Sequence, residues 1–241
     1  GFLAYGFQKR GFVQLIEGET FLGREADFLT MERGPLAGPL EFPFALRMLG
    51  LRQSYWANGE VRDFGSQVEV LKAGEAAPAE LAVNSPLSIG PVQVYQSGYY
   101  GYSVSLSLRK PTGEIAVTHF LLDRPAKPGR PAVGGADFPT TDYDFRLSLR
   151  PDRSGRSFYP RDPAILATVT RRGEIVYNGP VPLDRPVRVG ADEISVAGIR
   201  SWSGLIFVED RSRPLLAAGL ILSVCGALLM FAAPARRQAY A

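Results

Sequence analysis

The chain has 241 residues, a net charge of only +3, 26 glycines, 19 prolines, one cysteine and one histidine. Scattered arginines and so small a charge argue against nucleic acid, and Cys225 alone excludes an internal disulfide. A single histidine leaves no ligand set for structural zinc, and only His119 on which a Ser-His-Asp or Cys-His centre could be built.

Gly1 stands where Met is expected, and residues 2–7 read as the exit of an apolar segment. Residues 1–10 are therefore predicted to be the tail of a preceding membrane segment. Residues 11–16 read as extended and end in a turn-like Glu-Gly-Glu-Thr. Residues 34–39 form a loop on their Gly and Pro content. Phe42, Phe44, Leu46 and Met48 alternate, 51–56 continue extended, and Asn58-Gly59 gives a strong hairpin signal. The return strand covers 67–71, and 73–80 reads as a small-residue loop.

Residues 83–108 carry the clearest alternation. Val92 and Val94 alternate with Gln93 and Tyr95, and Tyr102, Val104, Leu106 and Leu108 with Ser103, Ser105 and Ser107. Gly98 and Gly101 lie between these two runs, where they are expected to supply a reversal, making the stretch a hairpin. Next, Ile115, Val117, His119 and Leu121 share one strand face, which is expected to pack at a core edge. Residues 126–137 lack periodicity and read as a linker between two halves, 11–125 and 138–210. The second half alternates at Tyr143, Phe145, Leu147 and Leu149, then at Ile165, Ala167 and Val169, and ends in the apolar run 205–208. Short strands every 8 to 12 residues or so predict a mainly β domain, a sandwich or an open barrel.

Residues 215–233 form an uncharged run of about 19 residues. At about 1.5 Å per residue this length predicts a C-terminal transmembrane helix over 214–234, with a cytoplasmic tail at 235–241. Gly219, Ser223 and Gly226 fall on one face, a small-residue stripe expected to pack against another membrane helix.

No phosphate-binding loop, nucleophile elbow, Cys-x-x-Cys or calcium loop is present. The acidic pair Asp142 and Asp144 reads as a hydrated strand face. An enzyme is not predicted. Tyr95, Tyr99, Tyr100 and Tyr102 crowd one region. They either pack across the hairpin or form a partner-binding patch, since tyrosine favours both settings.

Four phrases, in order, resemble the ResB-like (Ccs-type) component of the System II cytochrome c biogenesis machinery. They are G-F-V-Q-L-I-E-G-E-T at 11–20, F-A-L-R-M-L-G-L-R-Q-S-Y-W-A-N-G-E-V-R-D-F-G-S-Q-V-E-V-L at 44–71, V-N-S-P-L followed by G-x-x-x-x-Y-Q-S at 83–97, and W-S-G-L-I-F-V-E-D at 202–210. The resemblance implies a membrane-bound scaffold subunit in the cytoplasmic (inner) membrane, lacking the family's N-terminal membrane helices, with its large domain on the extracytoplasmic, periplasmic side. It implies a ResC/CcsA-type membrane protein and apocytochrome c as partners, the complex exporting haem and delivering it to the apocytochrome. The fragment alone is expected to bind no cofactor, because the family's haem-ligand histidine lies in an earlier membrane helix. The family's Asp-Pro-Gly before its last helix is Asp210-Arg211-Ser212 here. Asn84, Pro86, Tyr95, Gln96 and Ser97 carry over as motif positions, with Tyr99 and Tyr100 as interaction candidates. Asn84 and Gln96 are expected to satisfy backbone groups at a strand junction. The rival reading from the residues is a membrane-tethered β-sandwich that binds another envelope ligand, unrelated to haem.

Overall fold

The computed structural model describes residues 6–232 except Gly59, Ala126, Pro128, Thr140 and Arg156. The fold is organised by two long antiparallel strands, β8 (Val92–Arg109) and β15 (Asp192–Asp210), paired along nearly their whole length. At one end, β15 is flanked by β1 (Gln8–Ile16) and β3 (Thr30–Arg33), and β8 by β7 (Leu87–Ile89). At the other end, β14 (Val187–Val189) joins β15, and β9 (Ile115–Asp123) joins β8. Residues 8–10, read from sequence as part of a membrane-segment tail, thus belong to β1, while residues 1–5 lie outside the described part.

Each end of this sheet is backed by a separate four-stranded sheet. The first contains β2 (Thr20–Phe21), β4 (Ala45–Tyr55), β5 (Val61–Lys72) and β6 (Glu75–Ala82). The second contains β10 (Ala132–Asp137), β11 (Tyr143–Arg150), β12 (Ala164–Arg171) and β13 (Glu174–Val181). The sheets are open, and none closes into a barrel.

Two cores result. Phe21, Phe42, Phe44, Met48, Val94 and Phe207 belong to the first, and Leu106, Phe120, Phe138, Phe145, Leu149 and Ile194 to the second. The inward residues alternate along each strand, most cleanly in β11, where Tyr143, Phe145, Leu147 and Leu149 are buried.

Several expectations are corrected. The small-residue loop at 73–80 is largely strand β6, whose Pro78 is tolerated because β6 is an edge strand paired only to β5. The linker at 126–137 contains β10, which pairs with β11 through glycines too small to show any alternation. In β9 the inward face is the opposite one. Phe120 and Leu122 are buried, Phe120 against Phe138 and Phe145, while Ile115, Val117 and His119 are exposed. Alternation separates the two faces of a strand without saying which is inward.

The hairpin expected within 83–108 is also corrected. β8 runs straight through both glycines. Ser203 pairs with Tyr100 and Leu205 with Gln96, so β8 carries two extra residues across the 97–99 stretch. The glycine–tyrosine segment is therefore a bulge that bends a continuous strand between the two cores.

The C-terminal expectation changes most. Helix α1 spans Arg213–Ala232. Among the described residues, no helix is long and apolar enough to cross a membrane. The predicted transmembrane helix at 214–234 is thereby overturned. With it falls the support for a membrane-bound scaffold and for an inner-membrane placement with a periplasmic domain. The tail at 235–241 lies outside the described residues. On the Gly219–Ser223–Gly226 stripe, the Ser223 hydroxyl donates to the Gly219 carbonyl at 2.8 Å, and a Cβ at either glycine would meet nothing within 4 Å.

Where β1 and β15 end together, Lys9 and Glu209 form a buried ion pair at 3.1 Å. Lys9 also donates to the Pro39 carbonyl at 2.7 Å, and Arg211 Nε reaches Glu209 at 2.5 Å. Burial alone would raise the Glu209 carboxyl, but the hydrogen bonds and charges of Arg211 and Lys9 outweigh it and hold the group below its ordinary value. A depressed folded pKa contributes stability above the unfolded value, about 4.3, that is lost as pH falls through the folded one. Glu209→Gln is therefore expected to cost about 2 kcal/mol at pH 7. The cost should be smaller near pH ~3, as the carboxylate begins to take up its proton. Urea midpoints of the two proteins at both pH values check this, and an equal deficit at both would refute it.

Candidate functional site

Between the two cores lies a seam of different chemistry. Ser66 of β5 and Ser203 of β15 are fully buried and 2.9 Å apart. Gln96 of β8 closes the triangle, with Oε1 accepting from Ser66 at 2.6 Å and Nε2 donating to Ser203 Oγ at 2.7 Å. Nε2 also donates to the Ser97 carbonyl at 3.1 Å. Partnering of this kind offsets the cost of burying polar groups. Beside them, the Ser97 hydroxyl accepts the Tyr99 N–H at 3.0 Å, a local turn that shapes the bulge. Gly204 makes room for it, because a Cβ there would lie 2.6 Å from Ser97 Oγ and 2.8 Å from the Phe12 ring.

Trp202, also buried, continues the seam and donates its indole N–H to the Leu122 carbonyl at 3.1 Å. Gly101, paired opposite it, cannot carry a side chain. A Cβ there would fall on the Leu122 carbonyl oxygen and lie 2.9 Å from Arg124 N.

Arg124 follows directly after β9. Its guanidinium faces Phe158 at 4.0 Å, Tyr55 at 4.9 Å and Tyr100 at 5.5 Å from the ring centres. Tyr55 stacks on Phe158 at 4.5 Å, and Tyr100 stacks on Phe64 at 4.2 Å. The cage thus draws rings from both halves of the molecule. Nη1 donates to Tyr100 Oη at 2.7 Å, whereas Nε and Nη2 are buried without a hydrogen-bond partner. No carboxylate pairs with Arg124 among the described residues. Each cation–π contact is worth about 0.5–2 kcal/mol. Removing an ion from water costs several kcal/mol. Together the three ring contacts are of the same order as that cost.

The surrounding phenols differ in how their protons are used. Tyr55 donates to Gln53 Oε1 and Tyr102 to the Phe158 carbonyl. Burial pushes both pKa values up, Tyr102 to about 12, while the Arg124 charge pulls the other way. Tyr100 Oη accepts from Arg124 and donates to nothing among the described residues. A cleft of about 300 Å³ opens here, lined by Val61, Gly98, Tyr99, Tyr100, Asp123, Arg124 and Pro125. Tyr99 separates it from a second cleft of about 290 Å³ over Arg10, Phe12, Thr30, Glu32 and Ile206 on the outer face of the long sheet.

The sequence candidates distribute as follows. Gln96 and Ser97 sit in the seam, and Tyr100 in the cage. Tyr99 is largely exposed between the clefts, touching Phe12 edge-on at 6.1 Å, and Tyr95 is exposed on the outer face. The four tyrosines therefore divide, with Tyr102 serving the core. Asn84 satisfies no backbone group with its side chain. It is exposed and contributes its left-handed backbone, φ 64°, to the turn between β6 and β7, closed by the Ala82–Ser85 bridge. Pro86 follows in the same turn, half-buried. His119 shares a 2.7 Å hydrogen bond with Ser105 through Nδ1, on an open face.

Arg124 and Phe158 escaped sequence reasoning, because both lie in aperiodic segments. Ser66, Trp202 and Ser203 stood within phrases already singled out, and folding brings those distant phrases together at the seam. Among the described residues, no group of three or more His, Cys, Asp or Glu could hold a metal ion. The arrangement offers binding chemistry, namely a cation, a free phenol and aromatic walls. No curated protein and no solved structure matches the chain. The ResB-like family model matches residues 2–239, and the chain therefore belongs to the ResB-like family.

Proposed function

We propose that the protein takes part in cytochrome c biogenesis as a non-catalytic binding protein, acting beside a ResC/CcsA-type protein and apocytochrome c. The observation that carries this reading is the family match across residues 2–239. The site's chemistry supports it. Exposed Tyr95 and Tyr99, with the cleft over Phe12 and Ile206, form an aromatic patch of the composition that protein interfaces favour. Deleting the gene should remove c-type cytochromes while leaving proteins that hold haem without a covalent bond intact. Unchanged c-type cytochromes would refute the proposal.

A further inference from the structure

We infer that the cleft between Arg124 and Tyr100 binds a small organic acid through its carboxylate. Two groups there lack a counterpart among the described residues. The Arg124 guanidinium has no carboxylate partner, and the Tyr100 hydroxyl has no acceptor. Both line the same cleft.

A carboxylate seated in it accepts the Tyr100 proton, with the arginine charge one hydrogen bond behind. Such a charge-assisted bond is the strongest that a single phenol can offer. Arg124 also polarises the phenol by donating to its oxygen at 2.7 Å, which strengthens Tyr100 as a donor.

The walls define the rest of the ligand. Val61, Pro125 and the rings of Tyr99 and Tyr100 suit a flat apolar body. A volume of about 300 Å³ is at the small end of ligand pockets, enough for one ring with its carboxylate. Asp123 stands on the same lining, so a singly charged acid is favoured over a doubly charged phosphate. This site does not depend on the role in cytochrome biogenesis.

The test titrates the full chain with benzoate, benzamide and inorganic phosphate, followed by calorimetry and by NMR of the Arg124 side chain. Benzoate is expected to bind saturably, benzamide not to bind, and phosphate to bind more weakly. Tyr100→Phe keeps the ring stacked on Phe64 and loses only the hydroxyl. It should weaken benzoate by about tenfold or more. Arg124→Gln should abolish binding, with its fold checked by circular dichroism. If Arg124→Gln unfolds, the Tyr100→Phe comparison decides alone. The inference is overturned if benzoate fails to saturate, if benzamide or phosphate binds as well as benzoate, or if Tyr100→Phe binds benzoate unchanged.

Discussion

Replacing Trp202 by alanine is expected to lower the unfolding free energy by about 3–5 kcal/mol, the range for a fully buried large aromatic. For a chain of this size that is a fall of roughly 10 °C in Tm. The indole lies between the two cores and is only 2 % exposed, and its N–H satisfies the Leu122 carbonyl at 3.1 Å. Its loss opens a cavity at the join and leaves that carbonyl unpaired. Trp202→Phe separates the two effects. It refills most of the volume and should cost only about 1–2 kcal/mol, mainly for the missing donor. Denaturant unfolding of both variants checks this. If Trp202→Ala unfolded like the wild type, the indole would not be holding the halves together.

The second large effect falls on Gly101, with Gly98 as its control. Both glycines look alike in sequence, and both stand in the tyrosine-rich stretch. A Cβ at Gly101 would meet the Leu122 carbonyl oxygen, Arg124 N and Trp202 Nε1, two of them backbone atoms that cannot turn aside. Gly101→Ala should therefore cost about 3 kcal/mol, at the upper end for overpacking. A Cβ at Gly98 would meet nothing within 4 Å. Gly98→Ala is expected to stay within about 0.5 kcal/mol of the wild type. Equal effects at the two positions would contradict close approach as the reason for glycine at 101.

These two glycines also show where sequence reading stops. Period-two alternation placed Tyr102, Val104, Leu106 and Leu108 on one face, and all four are buried, but Ser103 and Ser105 on the opposite face are buried as well, because other strands cover that face too. Alternation could not say whether the chain turned at 98–101 or ran on. That choice rests on β15, about a hundred residues away, which pairs with β8 on both sides of the bulge. The same limit reversed the faces of β9 and hid β6, whose alanines and Pro78 carry no strand signal.

The site was legible in pieces. Ser66, Gln96, Ser97 and Trp202 each stood in a phrase noted for its family resemblance, but nothing local connects positions 66, 96 and 203. Arg124 gave no signal, since its role depends on rings from three distant segments. The apolar run at 215–233 was read from length and composition. Among the described residues, no helix is long and apolar enough to cross a membrane.

Covalently bound haem tests the proposed role most directly. It is measured on c-type cytochromes in cells from which the gene has been deleted, before and after it is restored. Deletion should abolish haem staining of these proteins, and restoring the chain should return it. Trp202→Ala should restore less than the wild type, in proportion to its loss of folded protein. Undiminished covalent haem in the deleted cells would contradict a role in cytochrome c biogenesis.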